Sequence, residues 1–114
     1  MLDLMAKLAT AHPEEAASNA VRAPRPCASV EGIEFWIQSS GNAILRCVIT
    51  DPVLQNHYGA EGRNAASWMV AFMRHRTDIE RRALDGAGGR DDVHVVLIND
   101  ATGRLKAAAG RCGR

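Results

Sequence analysis

Four histidines, three cysteines and an arginine-rich run are the side chains of this 114-residue chain best suited to chemistry. The histidines are His12, His57, His75 and His94, and none stands four residues from another. An H-E-x-x-H zinc helix is therefore absent, and so is a G-x-S-x-G nucleophile turn. Cys27, Cys47 and Cys112 are odd in number and form no C-x-x-C pair. That spacing argues against a disulfide framework or a zinc knuckle, and Cys47 reads as a small core hydrophobe. Asp91-Asp92 are adjacent carboxylates at the start of a strand, a position where such pairs are solvated. No acid/base or nucleophile constellation emerges, so the expectation is no catalytic residue, no cofactor and no metal.

Two stretches imitate binding motifs. "GAGGRDD", Gly86 to Asp92, resembles a phosphate loop. A phosphate loop follows a strand and opens a helix, so that amide N–H groups face the anion. Here the glycines follow a helix and precede a strand, which makes them a helix C-cap and a connection. "RHRTDIERR", Arg74 to Arg82, carries four arginines and one histidine. At about 100° per residue, Ala65, Trp68, Met69, Phe72, Ile79 and Ala83 fall on one apolar stripe. Arg74, Asp78, Arg81 and Asp85 lie opposite it. Arg74–Asp78, Asp78–Arg82 and Arg81–Asp85 are spaced to pair at i, i+4. A solvated, salt-bridged face is thus favoured over a nucleic-acid contact. Arg76 differs, because it falls inside the apolar stripe with Glu80 one turn on. It is read as half of an ion pair with Glu80, or as an arginine that recognises an anion or a carboxylate at the helix–sheet edge.

These residues need elements to hold them. "GIEFWIQ" and "AILRCVIT" are the strongest strand signals, separated by "SSGN". Facing Ile33, Phe35 and Ile37 to a core pairs Ile37 with Leu45, Phe35 with Cys47 and Ile33 with Ile49. This register needs a three-residue turn, Ser40-Gly41-Asn42, with a glycine or asparagine in the left-handed region. It places Trp36 opposite Arg46, Glu34 opposite Val48 and Gln38 opposite Ile44 on the other face. A Trp36–Arg46 cation–π pair follows as an expectation. "TDPVLQNHYG" reads as a short helix capped by Thr50 or Asp51, with Pro52 first and Gly59 closing it. After an Asn64 cap a long helix runs from about Ala65 to Leu84. "DVHVVLIN" is a third strand, apolar on both faces. The predicted order is β-β-α-α-β: a two-layer α+β domain with an antiparallel sheet of about three strands on a short and a long helix.

Three segments follow. Residues 1–29 form an N-terminal extension, with an amphipathic helix over 2–11 and an extended linker at "RAPRPCAS". Residues 30–100 form the α+β domain. Residues 101–114 form a flexible basic tail. The net charge of +1 divides unevenly among them: zero over 1–29, −3 over 30–100, and +4 over 101–114. Hydrophobic residues at 46% and charged residues at 24% suit a globular protein. No apolar run reaches the roughly 18 residues of a membrane span, and "MLDLMAKLATAH" lacks the block of a secretory signal. A cytoplasmic location and no membrane contact are expected.

"GIEFWIQSSGNAILRCVITDPVLQNHYG", then "FMRHRTDIERRA" and "VHVVLIND", together resemble a small bacterial family, domain of unknown function 1488. The aromatic first strand, the strand leading into "VL", and Arg76, Ile79 and Ala83 in R-x-x-I-x-x-x-A carry the likeness across about 30–100. The resemblance implies a small two-layer α+β fold without an assigned activity. It also implies that Arg76 is a family-typical position, and it supplies no catalytic residue, substrate or cofactor.

Two helices on a three-stranded sheet would leave Trp36, Arg46, Ile44, Val48 and one side of strand 93–99 to be covered by something else. The leading expectation is a non-enzymatic protein-interaction module that self-associates or takes a protein partner, with Arg76 a further candidate contact. The alternative is a nucleic-acid-associated accessory protein whose tail residues Arg104, Lys106, Arg111 and Arg114 give weak, salt-dependent phosphate contacts.

Overall fold

A computed structural model describes residues 20–39 and 41–111. The expected helix over 2–11 and the tail residue Arg114 lie outside them. The chain runs β1 (Ala20–Cys27), β2 (Gly32–Gln38), β3 (Ile44–Thr50), α1 (Asp51–Tyr58), α2 (Ala65–Arg74), α3 (Arg76–Ala87), β4 (Val93–Asn99) and β5 (Leu105–Arg111). The strands form one five-stranded sheet in the order β1-β2-β3-β4-β5. Every neighbouring pair is antiparallel except β3–β4, which is parallel.

This corrects the expected three-stranded antiparallel sheet: the fold is α+β, but the sheet is mixed and five-stranded, in the order β-β-β-α-α-α-β-β. Residues 20–27, expected as a linker, pair with β2. Pro24 and Pro26 are tolerated because β1 is an edge strand, where a missing N–H costs no ladder bond. Leu105–Arg111, expected in a flexible tail, pairs with β4 over its whole length. Its alanines and glycine give little intrinsic strand signal. The parallel seam arises because residues 51–92 carry the chain back to the starting end of β3, as a parallel neighbour requires.

The β2–β3 hairpin has the expected register, with Ile33 opposite Ile49, Phe35 opposite Cys47 and Ile37 opposite Leu45. The turn closes with Ser39 N donating to Ala43 O and with Asn42 at φ 70°. All six of those apolar side chains are at most 1% exposed. They meet Val93, Val95 and Leu97 of β4 and the helices in one core. Phe35 and Phe72 pack with ring centroids 5.0 Å apart.

α1 has the expected ends, with Thr50 before it, Pro in its first turn and Gly59 left-handed at φ 76°. The Thr50 hydroxyl donates to Leu97 O at 3.2 Å and makes no cap bond, so it ties α1's entry to β4. Asn64 caps α2 by accepting from Ser67 N at 2.9 Å. The predicted single long helix is broken. At His75 (φ −116°, ψ 23°) the backbone N–H is shared between Ala71 O and Phe72 O, and a new helix begins. The break has a packing reason. α2 lies against β1 and β2, whereas α3 lies against β4 and β5, and one straight rod would not follow a twisted sheet from one side to the other. Gly86 lets α3 close on the sheet, since a Cβ there would fall 2.5 Å from Ala107 Cβ.

Candidate functional site

The helices cover one face of the sheet, and strand alternation sends the remaining side chains to the other. Glu34 and Trp36 from β2, Arg46 and Ile44 from β3, and Lys106 from β5 belong to this outer face. β1 adds two cations. The Arg22 guanidinium carbon lies 4.6 Å from the Trp36 ring centroid, and that of Arg25 lies 5.5 Å away. The expected Trp36–Arg46 stack is therefore replaced. Arg46 turns to Glu34 Oε2 instead, while Arg25 Nε donates to Glu34 Oε1 at 2.9 Å.

Glu34 is 5% exposed yet ionised. Burial pushes its carboxyl up, but the hydrogen bonds and charges of Arg46 and Arg25 outweigh that and hold it below its usual range. Trp36 and Val48, expected on an open surface, are buried at 8% and 3% exposure. Ile44 remains open at 58%. The face is thus a guanidinium layer over a buried indole, with an exposed isoleucine beside it. Glu34 is the one acid among the described strand residues on this face.

The other candidates sit elsewhere. Arg76 is on the helix side, where its Nε donates to Glu80 Oε2 at 3.0 Å, the simpler of its two expected roles. Asp78 gathers Arg82 at 3.0 Å, Arg81, and the Tyr58 hydroxyl at 2.8 Å. The expected Arg74–Asp78 and Arg81–Asp85 pairs do not form: Arg74 ends α2 while Asp78 lies on α3, and Asp78 takes Arg81 and Arg82. Arg74 instead lines a shallow cleft of about 180 Å³ with Glu61, Ser67 and Val70. Arg104 lies in the β4–β5 turn, where its N–H donates to Asp100 Oδ1 at 3.0 Å, and Arg111 ends β5.

The three described histidines are dispersed, and His12 lies outside the described residues. His57 Nε2 is 2.9 Å from Asn99 Oδ1, and His75 packs tilted against Tyr58 with ring centroids 5.2 Å apart. His94 stands on β4 beside Gly110. Asp91 accepts from the Ser39 hydroxyl at 2.6 Å and so braces the β2–β3 turn. Asp51, 1% exposed, accepts from Trp68 Nε1 and Gln55 at 2.8 Å and from Arg63 at 3.2 Å. Among the described residues no group of three His, Cys, Asp or Glu side chains could hold a metal ion. No described helix is long and apolar enough to cross a membrane.

The family described as protein of unknown function (DUF1488) matches residues 21–97, well over half of the chain. The chain belongs to the DUF1488 family. No curated protein and no solved structure matches it at a significant level. The match begins in β1, so the part of this DUF1488 chain that carries Arg22, Arg25, Trp36 and Arg46 lies inside it. It ends within β4 and leaves β5 outside. Arg22 and Arg25 are the outer-face residues that sequence reasoning missed. The signal was present in "VRAPRPC", whose prolines and cations are the usual protection of an edge strand.

Proposed function

We propose that this DUF1488 protein is a protein-interaction module, and that its outer sheet face docks an acidic, partly apolar surface of another protein. The observation that carries this reading is the makeup of that face. Arg22, Arg25, Arg46 and Lys106 lie on it, Ile44 is open within it, and the one acid among its described strand residues is already neutralised by two arginines.

The same charge argues against two copies meeting face to face through this surface, since each would set its cations against the other's. Nucleic acid is the weaker reading. Arg25 and Arg46 are committed to Glu34, and of the tail cations expected to reach phosphates Arg104 lies in a turn and Lys106 and Arg111 in β5, while Arg114 lies outside the described residues. Of the outer-face cations that leaves Arg22 and Lys106, which would give a salt slope of only about two, and an exposed isoleucine adds nothing to phosphate binding. A protein surface uses both the charge and the apolar group.

The test is in-cell crosslinking and mass spectrometry with the full chain as bait. Partners captured by the wild type should be lost with Arg22→Glu and Ile44→Asp, and kept with Arg74→Glu on the helix side. A partner set indifferent to the outer-face variants would overturn the reading. So would single-stranded DNA binding at 150 mM salt that Arg22→Glu abolishes.

A further inference from the structure

The two edges of the sheet are built differently. β1 carries Pro24 and Pro26, and its pairing with β2 is interrupted between Ala20 and Arg22 and again between Arg22 and Arg25. Prolines and bulges are the usual means of keeping an edge from accepting another strand. β5 has neither. Its pairing with β4 runs unbroken from Val93↔Arg111 to Asn99↔Leu105, and no described strand pairs with its far side.

The direction of its free groups follows from the ladder. Asp100 N donates to Arg104 O at 2.8 Å, so that pair is hydrogen-bonded. Alternation along an unbulged antiparallel pair then turns the N–H and C=O of 106, 108 and 110 toward β4. Those of Leu105, Ala107, Ala109 and Arg111 point outward. The same odd-numbered Leu105, Ala107 and Ala109 are only partly buried against the core.

We propose that β5 is the homodimerisation edge of this protein, pairing antiparallel with β5 of a second copy to make one continuous ten-stranded sheet. The occupant is a second copy because the strand is complementary to itself. A two-fold axis at Ala108 sets Leu105 opposite Arg111 and Ala107 opposite Ala109, so every outward group meets an outward group. This is the register with full overlap, and it admits about eight hydrogen bonds. Lys106 then faces Gly110 and never its own copy. The alanines and glycine let the two backbones approach without a side chain between them.

An edge of this length buries less than the ~1,600 Å² of a standard interface, so the dimer is concentration-dependent. The inference does not rest on the outer-face reading, because pairing at β5 leaves Arg22, Arg25 and Ile44 uncovered on both copies.

Sedimentation velocity of the full chain across micromolar to millimolar concentration tests it. The wild type should pass from monomer to dimer. Ala109→Pro removes an outward N–H and no bond to β4, so it should raise the dissociation constant at least about tenfold with the circular dichroism spectrum unchanged. Ala108→Lys and Ala108→Glu each set like charges on the two-fold axis and should be monomeric alone, yet an equimolar mixture of them should dimerise. A wild type that stays monomeric throughout, or a dimer that Ala109→Pro and Ala108→Lys leave intact, would overturn the proposal. Neither result would touch the outer-face reading, whose test is partner capture.

Discussion

At the residue scale the most consequential group is Glu34. It is the carboxylate on which two arginines of the outer face converge, and it lies beneath them with Trp36. Glu34→Gln would keep the shape and lose the charge, at a cost of about 1–3 kcal/mol in urea unfolding. Asp51 and Asp78 share its direction. Burial raises the Asp51 carboxyl, but its bonds from Gln55, Trp68 and Arg63 outweigh this. The Tyr58 hydroxyl is the main reason Asp78 is lowered. All three bind protons less readily folded than unfolded, so acid favours the unfolded chain. Their contribution is complete above the ordinary values of 4.5 for Glu and 3.8 for Asp, and is lost as pH falls through the lower folded values. Unfolding midpoints measured from pH 7 to 3 should therefore fall below about pH 4.5, and less steeply in Glu34→Gln.

The two described cysteines shift in opposite directions. Burial, then the neighbouring Glu80 charge, pushes the Cys47 thiol up to about 12, whereas the Ser29 hydrogen bond lowers exposed-side Cys27. Iodoacetamide labelling followed by peptide mapping should find Cys27 modified in the native protein, and Cys47 only after unfolding. Labelling of both at equal rates would contradict this placement. The Trp36 contact shows the limit of residue-level reading. Strand register correctly put Arg46 opposite the indole. It could not show that Glu34, two positions away on the same face, would draw Arg46 off and leave the ring to arginines from an unrecognised strand.

At the element scale, legibility followed the strength of local patterning. The β2–β3 hairpin was readable because its alternation admits one register. α1 was readable because its caps are explicit. β1 was hidden by prolines that an edge tolerates, and β5 by alanines with no strand preference. The break at His75 was illegible because the apolar stripe of α2 continues into α3 without a phase change, and only the sheet beneath requires the turn. Gly86 gives a test at this scale. Helix propensity alone says Gly86→Ala should stabilise by about 1 kcal/mol. The close approach of Ala107 says it should destabilise by about 1–3 kcal/mol, and that adding Ala107→Gly should recover part of the loss. A stabilised Gly86→Ala would mean that α3 does not seat on β5 as described.

At the scale of the whole molecule, an amphipathic sheet has one face filled by helices and the other finished by its own arginines. The family match covers β1 to β4, and β5 completes the sheet beyond it. The outer face was not legible as a unit in the sequence, because it assembles from five strands whose adjacency includes one crossover. Charge segregation became visible only once β1 and β5 were placed as strands.

The parallel seam between β3 and β4 also bears on how the chain reaches this state. Residues 20–50 and 93–111 each pair through short local turns, whereas the seam joins them only after residues 51–92 have been looped out. Closing a segment of that length carries an entropic cost before the seam's own contacts form, so the seam should limit the rate of folding. Trimming Val95 at the seam to Ala should then slow refolding in stopped-flow measurements. Trimming Leu105 at the edge should mainly quicken unfolding. The middle of the sheet would set how fast the protein forms, and its margin how long it lasts.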